Sequence, residues 1–169
     1  RYYFFTSFQA GEPYNSKVVG VAVADRPEGP YTDAIGRPLI TDDMTDNGER
    51  GWWNDFDPTV GFDRDSIAWL CWGNGDCFLA PLTDDLLALA GDIRVISLPN
   101  YVEGPWLMEH GGHYYIIYVS MGEGRETLSY AMADNMEGPW TAMGEFAGMP
   151  FRSFTIHPAV CEFDGQWWL

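Results

Sequence analysis

Three polar residues stand beside prolines at similar intervals. Asp57 directly precedes Pro58, Glu103 lies two residues before Pro105, and His157 directly precedes Pro158, with separations of 46 and 54 residues. Two carboxyls that meet can divide an acid–base task. Like-charge repulsion and partial burial raise the pKa of one, so that it keeps its proton near neutral pH while a partner stays ionised. An imidazole beside them can contact a polar ligand or carry charge. Taken singly, Asp-Pro is a common turn opener and Glu-Gly-Pro a common loop sequence. The chemistry depends on elements that bring the three together.

Those elements read as strands. Short apolar and aromatic runs bounded by Gly, Pro, Asn and Asp recur along the chain, the pattern of an all-β protein. Strands are predicted at Tyr2 to Ser7, Val18 to Ala24, Ile67 to Gly73, Cys77 to Pro81, Tyr114 to Ser120 and Thr127 to Ala133. Only Thr83 to Ala90 has helical character: a Thr cap, two acids, then Leu and Ala before Gly91.

Two repeats organise the runs. Ala24-Asp25-Arg26-Pro27-Glu28-Gly29-Pro30-Tyr31 matches Ala133-Asp134-Asn135-Met136-Glu137-Gly138-Pro139-Trp140, each copy following a strand. The second repeat is polar residue, Pro, short apolar strand, turn, aromatic strand, with hairpin turns predicted at Asp63-Arg64-Asp65, Gly111-Gly112 and Asp164-Gly165. Its period fits the blades of a β-propeller, in which the first strand of each blade lines a central channel. Proline belongs at a strand's start, and the residue before it is held extended. Asp57, Glu103 and His157 are thus predicted at the channel mouth. Glu28 and Glu137 follow outer strands instead and read as turn residues. The fold expected is an all-β propeller of which residues 1–169 supply about three blades as one partial domain, entering in the second strand of blade 1 and stopping early in blade 4.

Composition excludes several classes of partner. The formal net charge of −16 opposes binding to phosphate backbones and anionic lipid. No run reaches the roughly 18–20 apolar residues of a membrane helix. Cys71, Cys77 and Cys161 lack metal-ligand spacing and read as small buried residues. No cluster suggests a catalytic metal. His110 and His113 read as solvated turn residues.

The motifs also resemble a known family. Asp57-Pro58-Thr59-Val60-Gly61-Phe62-Asp63, running into Ala68-Trp69-Leu70-Cys71-Trp72-Gly73, is similar to the second-blade signature of glycoside hydrolase family 43. Glu103-Gly104-Pro105-Trp106-Leu107 and Gly112-His113-Tyr114-Tyr115-Ile116-Ile117-Tyr118 resemble its third blade. Ser129-Tyr130-Ala131 through Gly138-Pro139-Trp140 resembles the closing strands, and Ile156-His157-Pro158-Ala159-Val160 the fourth blade, with Ile156 where the family commonly has Asn.

The resemblance implies a five-bladed β-propeller and inverting hydrolysis of arabinofuranosyl or xylosyl linkages in plant cell-wall polysaccharide. It makes Glu103 the general acid and Asp57 the residue that orients the acid and adjusts its pKa. His157 is a substrate contact or, through water, a holder of a channel cation such as calcium; no cofactor is otherwise expected. Trp106, Trp72 and Phe56, with Trp52 and Trp53, are candidate sugar-stacking residues. Inversion requires a base about 6.5–9.5 Å from the acid. Blade spacing puts it about nine or ten positions before Arg1, so this chain alone is expected to be inactive. The expected partner is an oligo- or polysaccharide, and that substrate class favours an extracellular or periplasmic setting. Two other readings stay open: a non-catalytic sugar-binding propeller, and a retaining fructan- or sucrose-processing propeller, to which Trp53-Asn54-Asp55-Phe56-Asp57-Pro58 bears a looser likeness.

Overall fold

The computed structural model describes residues 1–45 and 53–169. Strands dominate, arranged in four antiparallel sheets. The first contains β1 (Tyr2–Gln9), β2 (Lys17–Ala24) and β3 (Thr32–Asp33) in that order. The second contains β4 (Thr59–Phe62), β5 (Ala68–Trp72), β6 (Cys77–Pro81) and β7 (Arg94–Ile96). The third contains β8 (Tyr101–His110), β9 (His113–Gly122), β10 (Arg125–Ala133) and β11 (Thr141–Gly148), and the fourth the hairpin of β12 (Cys161–Phe163) and β13 (Gln166–Trp168). Each strand pairs with its sequence neighbour, as successive blades of a propeller do. All six predicted strands are present, and the three predicted hairpin turns join β4 to β5, β8 to β9 and β12 to β13.

The sheets stack face to face, and β5 explains why its sequence is apolar throughout. Alternate side chains point to opposite faces. Ala68, Leu70 and Trp72 join Val19, Leu39 and Ile40 in a core against the first sheet. Trp69 and Cys71 join Leu107, Tyr114, Ile116 and Tyr118 in a second core against the third sheet. A strand buried on both faces has no polar alternation to show.

Two expectations are corrected. Thr83 to Ala90 forms turns rather than a helix. Thr83 N–H donates to Ala88 O (2.9 Å), Ala90 N–H reaches back to Pro81 O (2.8 Å), and Leu86 turns the chain at φ 63°. The loop folds onto its own sheet and places Leu82 in the core, with Leu86 and Leu89 packed against it. Among the described residues, an α-helix lies instead at Asp42–Thr45. Cys71 and Cys77 are buried as expected, but Cys161 is exposed at the start of β12.

Candidate active site

Asp57, Glu103 and His157 meet. One ligand-type atom of each lies within 4.8 Å of the others, although the residues belong to three successive sheets. His157 Nε2 is 3.1 Å from Glu103 Oε1, and His157 Nδ1 is 3.7 Å from Asp57 Oδ2. The two carboxyl side chains are mostly buried, at 20% and 17% exposure, while the imidazole is 41% exposed.

Each residue is held by its approach. Asp57 is not extended as its place before Pro58 predicts; its φ is 48°, an uncommon left-handed conformation for a residue other than glycine. The surrounding structure fixes it there: Gly73 N–H donates to Phe56 O (2.8 Å) and Asn74 N–H to Asn54 O (3.0 Å). Asp55, fully buried, accepts hydrogen bonds from Trp72 Nε1 (2.9 Å) and Thr45 Oγ1 (3.0 Å), anchoring the same segment from below. Glu103 lies where β8 breaks register with β9 on both sides of it, an irregularity that re-aims a side chain. Its Oε2 accepts a 2.7 Å hydrogen bond from Asn74 Nδ2. Gly104 follows with φ 62°, and a Cβ there would stand 3.0 Å from His157 Nδ1. Glu126 accepts the Ile156 N–H at 3.1 Å and fastens the His157 approach to the third sheet.

The electrostatics differ from the expectation that Glu103 is the raised acid. Burial pushes Asp57 up to about 6, with Glu103 adding by repulsion and His157 opposing. The hydrogen bond from His157 instead holds Glu103 below its ordinary value, against burial, and Asn74 acts in the same direction. His157 is raised, first by that same bond and then by the charges of Asp57 and Glu103. Burial of Asp57 and the His157 hydrogen bond to Glu103 thus push the two carboxyls in opposite directions.

The aromatic residues sort by burial. Trp72 is fully buried, with its indole N–H committed to Asp55, so it supports the approach to Asp57 and cannot stack on a sugar. Phe56 is half-buried and stacks on Trp53 at 5.2 Å, with the Lys17 ammonium 5.1 Å from its ring. Trp106 is half-buried on β8, on the face opposite core residue Leu107. Trp52 lies outside the described residues. His110 and His113 are exposed at the ends of their hairpin, as predicted, with His113 paired to Asp134 at 2.8 Å. Asn74 was not anticipated. The signal was Trp72-Gly73-Asn74-Gly75, a turn sequence between two strands whose loop shares the channel end with Asp57.

Comparison with known proteins identifies the family. Residues 1–140 match Glycosyl hydrolases family 43. A β-D-galactofuranosidase, xynD, of Aspergillus niger is 32% identical over 98% of this chain and 48% of its own length. An arabinoxylan arabinofuranohydrolase of Paenibacillus polymyxa is 29% identical over 89% of this chain and 27% of its own length. The chain thus spans half or less of these relatives. Among solved structures, an α-L-arabinofuranosidase of Clostridium thermocellum superposes with a TM-score of 0.82 at 26% identity, covering 98% of this chain and 55% of that one. A β-xylosidase/α-arabinofuranosidase from a compost metagenome, solved with xylotriose, gives a TM-score of 0.79 at 23% identity over 98% of this chain and 59% of that one, a likeness of fold. With its motifs in order, its sheets stacked as blades and its polar residues gathered at one end of them, the chain belongs to glycosyl hydrolase family 43.

Proposed function

We propose that this chain is part of an inverting glycosidase acting on arabinofuranosyl or xylosyl linkages of plant cell-wall polysaccharide. Glu103 is its general acid, and Asp57 orients Glu103 and adjusts its pKa. The observation that carries this reading is the meeting of Asp57, Glu103 and His157 from three sheets within 4.8 Å. In inversion, an acid protonates the departing glycosidic oxygen while a base opposite activates water. The general base, in this reading, lies upstream of Arg1 on the innermost strand of the first blade, because β1, β2 and β3 are that blade's second to fourth strands.

His157 supplies the step that the free site lacks. A sugar that parts His157 from Glu103 removes the largest influence holding the Glu103 carboxyl down. Burial and repulsion from Asp57 then act together to keep its proton for delivery. Asp57 Oδ2, buried without a hydrogen-bond partner and faced by His157 Nδ1 at 3.7 Å, becomes an acceptor for a sugar hydroxyl once the imidazole is displaced. The same set of two carboxylates and one imidazole suits a channel cation reached through water, which would supply positive charge to the site.

The test compares the chain with a version extended upstream through the innermost strand of blade 1. The assay uses 4-nitrophenyl α-L-arabinofuranoside and β-D-xyloside, with β-D-galactofuranoside added because the Aspergillus niger relative bears that name. Release by the extended version, with the first-formed anomer inverted by NMR, is the expected result. A retained anomer points to the fructan-type alternative, and sugar binding without release points to a lectin-like protein.

A further inference from the structure

The turn between β5 and β6 is tied to both carboxyl-bearing segments at once. Gly73 N–H donates to Phe56 O (2.8 Å) and Asn74 N–H to Asn54 O (3.0 Å), on the approach to Asp57. Gly75 N–H donates to Val102 O (2.7 Å), and Tyr101 Oη–H to Gly73 O (2.8 Å), on the approach to Glu103. The turn therefore cannot shift relative to either carboxyl without breaking backbone hydrogen bonds. From this fixed frame the Asn74 side chain, 5% exposed, donates its amide N–H to Glu103 Oε2 at 2.7 Å.

An amide N–H facing a carboxyl oxygen makes that oxygen the acceptor, because a proton on it would point donor against donor. We propose that Asn74 is a positioning residue for the general acid: it reserves Oε2 as the acceptor and leaves Oε1, once a sugar parts that oxygen from His157, to carry the proton that is delivered. The inference rests on the reading of Glu103 as general acid. In the step, the Oε1–H proton passes to the glycosidic oxygen as its bond to the anomeric carbon breaks. The electrons of that bond stay on the departing oxygen, and Glu103 becomes a carboxylate whose new charge Asn74 partly stabilises. A residue that acts through the acid matters most when the leaving group needs protonation.

The test therefore varies the leaving group. In the version extended upstream, Asn74→Ala is expected to lower kcat on an unactivated oligosaccharide about 10–100-fold, the scale of a lost hydrogen bond to a charged group, with KM within about twofold. On the matching 2,4-dinitrophenyl glycoside, whose phenolate leaves unaided, kcat should stay within about twofold. Asn74→Leu, of similar volume but without the donor, should repeat this selectivity and guards against an Ala variant that fails to fold. Equal losses on both substrates mean a structural role and overturn the proposal, as does no loss on either. Glu103→Gln is run alongside. If it shows no dependence on leaving group, the acid assignment fails and the proposal with it; if Glu103→Gln shows the dependence and neither Asn74 variant does, the proposal alone fails.

Discussion

The tetrapeptide Glu-Gly-Pro-Trp occurs twice, at Glu103-Gly104-Pro105-Trp106 and Glu137-Gly138-Pro139-Trp140, and the two copies have different surroundings. The second closes a rim turn. Gly138 N–H bonds Asn135 O (2.9 Å), the Gly138–Pro139 bond is cis, and Trp140 Nε1 folds back onto Met136 O (3.2 Å). Residues 24–31 build the same turn, with a cis Gly29–Pro30 bond and Tyr31 Oη on Pro27 O. Glu137 there is 55% exposed and reaches Arg94. The first copy opens an innermost strand at a break in register, and its Glu103 is gathered in by Asn74 and His157. The identical letters leave the backbone undecided. The place in the sheet, a turn between β10 and β11 in one case and the first strand β8 in the other, sets which conformation forms, and the neighbouring sheets set what the acid can do.

That contrast can be broken most directly by removing each acid. Glu103→Gln in the active protein is expected to lower kcat/KM by about 10²–10⁴, the usual scale for general acid catalysis. Glu137→Gln should leave it within about twofold, and equal losses in the two variants would erase the distinction. Titration sharpens the channel side. Asp55 and Asp57 are both raised by burial to about 6, so between the unfolded value and 6 the folded chain binds more protons than the unfolded one. Stability is then present at low pH and declines as pH rises from about 4 through 6, by roughly 1–3 kcal/mol per group. Urea unfolding across this range should show the decline, and Asp55→Asn should remove part of the slope. The glycines come next. Gly104→Ala and Gly138→Ala each force a left-handed residue, at φ 62° and 90°, and should each cost about 1–2 kcal/mol. Only Gly104→Ala presses on the His157 ring, so only it should shift the His157 NMR titration. Smallest is the rim ion pair: Arg94→Ala should change stability by less than about 1 kcal/mol in a thermal melt, because both partners are solvated.

Much of this was legible in the residues. Proline-marked strand starts and the aromatic second strands gave the blade order, and the phase of that repeat separated Glu103 from Glu28 and Glu137. What escaped was whatever depends on contacts beyond a residue's own strand. Trp72 lies in a strand whose every residue is apolar or Cys, so no alternation betrayed that its indole is bound to Asp55. The Leu and Ala of the 83–90 segment were read as helical, although the register of β6 and the core beneath draw them into turns. The direction of the carboxyl shifts depends on His157 reaching across from another blade to Glu103, a distance of 54 residues in sequence that no local pattern encodes.

Because the acid, its companion and the imidazole are contributed by three separate sheets, a molecule seated among them acts as a fastener. Whatever occupies that space gains its contacts only while the three sheets stay docked, so occupancy should make their separation harder. Protease resistance of the junctions between sheets should then rise with sugar concentration, giving a way to follow occupancy even in variants that no longer turn over.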